Sequence, residues 1–151
     1  MGDREFGVEF GYVVKQTQQA YRARMDGALT EFDLSTPQYV VLAALDQLGG
    51  ASNAELARAC FVTPQSMHAI VAALERRDLI GRPSAAKSGR ALPATLTGDG
   101  HALLEHAAEV VQRLDRAGID GIDNNHLSTA LEVLQRVTHN LRSAENHKSI
   151  G

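Results

Sequence analysis

The stretch from Ser52 to Arg90 constrains this chain more than any other. Ser52 and Glu55 have the spacing of a capping box, in which a serine hydroxyl and a glutamate carboxylate satisfy each other's backbone donors at a helix start. The helix that follows is short, Leu56-Ala57-Arg58-Ala59-Cys60, and then breaks. Thr63 is a good N-cap for a second helix, and Pro64 at its first position gives up a donor that had no partner there. This second run extends to Arg77. Two short helices on a tight connection make a helix-turn-helix, whose second member is the one that enters a DNA major groove.

The second helix has two faces. Met67, Ile70, Val71 and Leu74 follow the i, i+3, i+4, i+7 rule and make one apolar stripe. Gln65, Ala69, Ala72 and Arg76 lie opposite, flanked by Ser66, His68 and Ala73. A helix that merely meets water would more often carry glutamates and lysines there. Small and hydrogen-bonding residues instead let a backbone approach another surface closely, and the major groove, about 12 Å wide, admits a helix. Thr63, Gln65, Ser66, His68, Ala69 and Arg76 are therefore candidate DNA contacts.

Beyond this helix, Asp78-Leu79-Ile80-Gly81-Arg82-Pro83 runs into a small, polar, basic segment, Ser84 to Gly89, and returns through Arg90 to Leu96-Thr97. The pattern predicts a β-hairpin wing whose tip offers Lys87, Ser88 and Arg90 to DNA. Residues near Ala51 could add a third, very short strand. The net charge of −3 argues against a polyanion partner only until it is mapped. Residues 58–90 carry six basic side chains against two acidic ones, a balance of +4, which leaves −7 elsewhere. A basic working edge on an acidic body can still orient on phosphates, because their attraction is local at physiological salt.

These residues resemble the MarR family of winged-helix transcriptional regulators. The resemblance rests on Ala54-Glu55-Leu56-Ala57, Val62-Thr63, Leu74-Glu75-Arg76, Leu79-Ile80, Arg90, Leu96-Thr97, Gly100 and Leu103-Leu104. Three positions depart from the family pattern. Ser88 stands where an aspartate often braces the wing arginine, so Arg90 lacks that carboxylate. Phe61 replaces a common glycine in the turn between the two helices, so that turn must close another way. His68 and Ala69 occupy positions where threonine and arginine are frequent, which implies a different operator sequence.

Flanking segments fit a mostly α chain with long terminal helices. The first, Phe6 to Phe32, lines up Phe6, Phe10, Val13, Val14, Thr17, Tyr21, Ala28 and Phe32. A second helix opens with Thr36 as cap and Pro37 at its first position, carries Val40, Val41, Leu45 and Leu48 inward, and stops at Gly49-Gly50. Past the wing, Ala102, Leu103, Ala107, Val110, Val111 and Leu114 form the apolar side of another long helix, broken by Gly118 and Gly121. A last helix, about Asn125 to Glu145, spaces Leu127, Leu131, Leu134, Thr138 and Leu141 much as a coiled-coil seam does. The expected division is an N-terminal dimerisation helix over 1–34, a winged helix-turn-helix over 35–97, C-terminal dimerisation helices over 98–146 and a tail over 147–151. Two-fold pairing would bury the seams, and the family resemblance implies the same homodimer.

Other chemistries find little support. The six histidines are scattered, and His101 and His106 are not on one helical face, so no metal site is expected. Cys60, the single cysteine, falls on the inward side of its helix with Leu56 and Ala57 and reads as a small hydrophobe. No nucleophile–base pair or phosphate loop points to an enzyme, and no cofactor is implied. No run approaches the ~18 apolar residues of a membrane span, and no leader precedes a cleavage site, which points to a cytoplasmic chain.

The reading is thus a homodimeric, sequence-specific regulator of double-stranded DNA, with an inverted-repeat operator. The resemblance further implies a repressor released by a small aromatic acid or phenol, held where the dimer helices meet the winged part. Tyr12, Lys15, Tyr39 and Arg82 would supply aromatic surface and a cation there. The alternative is a winged-helix protein-interaction module without DNA binding, which Phe61, Ala69 and Ser88 keep open.

Overall fold

The structure, a computed structural model, describes residues 3–83 and 92–148, with side chains over 9–83 and 92–144. Helices α1 (Asp3–Leu29), α2 (Thr36–Leu48), α3 (Asn53–Ala59) and α4 (Pro64–Arg76) lead into strands β1 (Ile80–Gly81) and β2 (Thr95–Leu96). Helices α5 (Gly98–Ile119) and α6 (Asn124–Lys148) follow. The chain divides into two compact units, Met1–Leu114 and Asp115–Gly151. None of the described helices is long and apolar enough to cross a membrane.

Caps define most of the helix starts in the first unit. Ser52 and Glu55 form the expected reciprocal box at α3, and Thr63 accepts from the Ser66 amide at the head of α4. At α2 the cap is Ser35, not Thr36. Gln38 lies three residues after Ser35 and completes the box from the other side, while the Thr36 hydroxyl donates to the Asp26 carboxylate of α1. That bond is the main reason the Asp26 carboxyl sits below the usual carboxylate range.

The helix exits share a geometry. Asp33, Phe61 and Asp78 all take positive φ, at 52°, 54° and 54°. Each is followed by an amide that reaches back to a carbonyl five residues upstream: Leu34 to Leu29, Val62 to Ala57, and Leu79 to Leu74. This is the Schellman closure, which normally recruits glycine at the left-handed position. The turn between α3 and α4 therefore closes as it would with glycine, and Phe61 itself adopts the conformation. Gly49 ends α2 in the same region, at φ 68°.

The core of the first unit gathers Val41, Leu42 and Leu45 of α2, Leu56 of α3, and Met67, Val71 and Leu74 of α4. Leu29, Leu79, Ile80, Leu104, Ala107 and Val111 close around them. Fully burying a side chain of this kind stabilises by about 1.5–3 kcal/mol, so the inward stripe of α4 anchors that helix. Two inward assignments change. Leu48 is 53% exposed, with Leu42 buried in its place one turn and a half earlier. On α5 Ala102 is exposed, while Leu103 is half-buried against the core and Leu104 beside it is buried.

The wing base is antiparallel, with Ile80 opposite Leu96 and Gly81 opposite Thr95. Ala51 bridges Ala94, the expected short third strand reduced to one pair. Thr97 fastens this base to α5: its hydroxyl donates to the Asp78 carbonyl at 2.6 Å and accepts from the Gly100 amide at 3.0 Å. Helix α5 continues through Gly118, and the chain turns at Gly121, φ 76°. Helix α6 starts one residue earlier than expected and runs to Lys148, into the stretch read as tail. Its seam residues Leu131 and Leu141 are 60% and 66% exposed in the single chain.

Candidate nucleic-acid interface

Helix α4 presents what its sequence promised. Met67, Val71 and Leu74 are buried, while Gln65, Ser66, His68, Ala69 and Arg76 are exposed along one outward face. Ala72 is half-buried. Thr63 is largely spent on capping, because its hydroxyl accepts from the Ser66 amide at 3.1 Å and donates to Ser66 Oγ at 2.9 Å. At the other end, Arg77 turns away from this face. Its guanidinium donates to the carbonyls of Asp33 and Phe32, at the corner between α1 and α2.

Between the start of α3, the middle of α4 and the wing base lies an open groove of ≈ 550 Å³, lined by Ser52, Asn53, Ala54, His68, Val71, Ala72, Glu75 and Arg82. Arg82 is its organiser. Nε donates to Glu75 Oε1 at 3.1 Å, Nη1 to the Leu92 carbonyl at 2.9 Å, and Nη2 to Asn53 Oδ1 at 2.7 Å. Asn53 Nδ2 in turn lies 3.2 Å from His68 Nδ1. One guanidinium thus joins α3, α4 and the second arm of the wing. No sequence spacing links Asn53 to His68 or Arg82, so this brace carries no local signal.

The candidate effector residues lie on separate elements. Tyr12 and Lys15 are exposed on α1, Tyr39 is half-buried against the core from α2, and none of the three lines the groove that holds Arg82. Lys87, Ser88 and Arg90 lie outside the described residues. Cys60 is half-buried against the core, and burial pushes its thiol up from the ordinary cysteine value, which disfavours the reactive thiolate.

Known proteins resemble this chain in sequence and fold. The family model described as MarR family matches residues 32–91. The HTH-type transcriptional repressor Rv2887 of Mycobacterium tuberculosis is 41% identical over 105 residues, spanning 70% of this chain and 76% of that protein. Two solved structures of that organism's MarR family protein Rv2887 align with a TM-score of 0.69. The complex with DNA is 32% identical and covers 84% of this chain and 95% of that one. The complex with salicylic acid is 35% identical and covers 84% and 94%. A capped helix pair, a two-stranded wing base and this level of identity over most of a repressor lead to one conclusion: the chain belongs to the MarR family.

Proposed function

We propose that this chain is a homodimeric repressor that binds an inverted-repeat operator in double-stranded DNA and is released by a small aromatic acid or phenol. The observation that carries the reading is the outward face of α4, polar or small from Gln65 to Ala69 and ending at Arg76, on a helix held by a buried stripe. In this reading Gln65, Ser66 and His68 meet base edges, and Ala69 allows close approach. Thr63 sets the helix start, and Arg76 with the wing residues Lys87, Ser88 and Arg90 meets the backbone or minor groove. The flanking segments 1–34 and 98–146 make the dimer, and 35–97 reads the DNA. Relatives solved with DNA and with salicylic acid support both halves of the proposal. Tyr12, Lys15 and Tyr39 remain the proposed effector contacts; Arg82, whose guanidinium is held by Glu75, Asn53 and the Leu92 carbonyl, would serve as the cation only by trading one of those partners for the ligand's carboxylate.

The test is selection of bound sequences from random DNA, followed by titration at two salt concentrations with and without salicylate. The expected operator is an inverted repeat with half-sites about 10 bp apart. Gln65→Ala should relax preference at one base per half-site, where a bidentate glutamine–adenine contact discriminates by about 1–3 kcal/mol. Arg90→Ala should weaken all sequences alike and flatten the salt slope by about one. A coupling of about 1–3 kcal/mol would let salicylate weaken operator binding about 5- to 150-fold. Failure to recover any motif, with no steep salt dependence, would instead favour a protein-interaction module.

A further inference from the structure

The groove beside α4 fixes the chemistry of His68. The guanidinium of Arg82 has donors only, so the Asn53 amide atom 2.7 Å from Nη2 must be its oxygen. The amide nitrogen therefore faces His68, at 3.2 Å from Nδ1. That nitrogen is itself only a donor, so Nδ1 must accept. A neutral imidazole whose Nδ1 accepts carries its hydrogen on Nε2. The direction of each bond follows from Arg82, which is held in place by Glu75 and the Leu92 carbonyl.

We propose that Arg82 and Asn53 are positioning residues that hold exposed His68 as an Nε2–H donor, so that α4 selects a hydrogen-bond acceptor on the base edge facing it. Guanine suits such a donor best, since both of its major-groove atoms accept, and cytosine suits it least, since it offers only a donor. This rests on the DNA-binding reading above. It adds that specificity at this position is set by a residue pair that need not touch DNA.

Asn53→Asp tests the relay with almost no change of shape. The carboxylate keeps an oxygen toward Arg82 and stays in the first turn of α3, where negative charge is favoured. Its second oxygen, however, now accepts from Nδ1 and drives the neutral ring to the Nδ1–H form. Long-range proton–nitrogen correlation on the full-length labelled protein, at about pH 8.5 where histidines are ordinarily neutral, should show Nε2–H for His68 in the parent and Nδ1–H in Asn53→Asp. In DNA selections the parent should disfavour cytosine at one position per half-site, by about two- to tenfold for one hydrogen bond. His68→Ala should lose that preference, and Asn53→Asp should turn it toward a donor-bearing base with the salt slope unchanged. An unchanged tautomer in Asn53→Asp, or an unchanged base preference despite a changed tautomer, would overturn the proposal. A parent protein without selective DNA binding would overturn it together with the DNA-binding reading. The spectrum, taken without DNA, shows whether the relay itself was at fault.

Discussion

A Cβ built on Gly100 would lie 1.9 Å from the carbonyl oxygen of Leu79. The first turn of α5 thus rests directly on the backbone that enters the wing. A backbone oxygen cannot swing aside as a side-chain tip can, so Gly100→Ala must push the helix and the wing base apart. Overpacking of this kind costs about 1–3 kcal/mol, and the urea midpoint should fall accordingly. Gly98, whose Cβ would meet nothing within 4 Å, supplies the control: Gly98→Ala should be neutral or slightly stabilising. Equal behaviour of the two variants would refute the contact.

Phe61 offers the opposite test. Its ring is 78% exposed and its backbone is left-handed, a conformation that costs an ordinary residue about 1–2 kcal/mol. Phe61→Gly should raise the thermal midpoint by relieving that strain, less the extra chain entropy that glycine gives up on folding. A lower midpoint would mean that the ring's contacts outweigh its backbone cost.

What was legible in the sequence follows the range of the interaction. The caps at Ser52 and Thr63 are settled by residues three positions away, and both stand where spacing put them. Thr36 has the residue type of a cap, but its hydroxyl goes to Asp26, ten residues upstream and on another helix, and Ser35 caps instead. The Arg82 brace is invisible in the sequence because nothing nearby in the chain announces Asn53, 29 positions earlier, as its partner. The outward face of α4 could be read from a wheel; the tether that orients one of its side chains could not.

The capping box at α3 should make stability depend on acid. The Ser52 amide, and after it the Ser52 hydroxyl, hold the Glu55 carboxyl below the usual glutamate range. A carboxyl depressed in the folded chain contributes stability above its unfolded value and loses it as pH falls through the folded one. Glutamine also completes such boxes, so Glu55→Gln should keep the cap without titrating. Between about pH 5 and pH 3, the urea midpoint of the parent should fall more steeply than that of Glu55→Gln; parallel curves would remove Glu55 from the account.

On α6, Leu131, Val133, Leu134 and Leu141 are all exposed in the single chain, more apolar surface than a solitary helix has reason to carry. Light scattering should give twice the 16.2 kDa of one chain. Glutamate at both Leu131 and Leu134 should dissociate or unfold the protein, because two charges cannot be buried in an apolar seam without large cost. A folded monomer that still binds operator would remove the need for a dimer.

Arg77 has a mechanical consequence. By donating to the carbonyls of Phe32 and Asp33, it pins the trailing end of α4 to the corner where α1 gives way to α2, while the residues proposed to read bases sit near the leading end. Helix α4 has 13 residues and so spans about 20 Å at 1.5 Å per residue. A tilt of about 10° about the pinned end then carries Gln65, about 18 Å away, through roughly 3 Å, close to one base step along a DNA strand. The corner is a fulcrum, but Met67, fully buried near the leading end, travels with the helix, so such a shift needs the core of the winged part to turn together with α4.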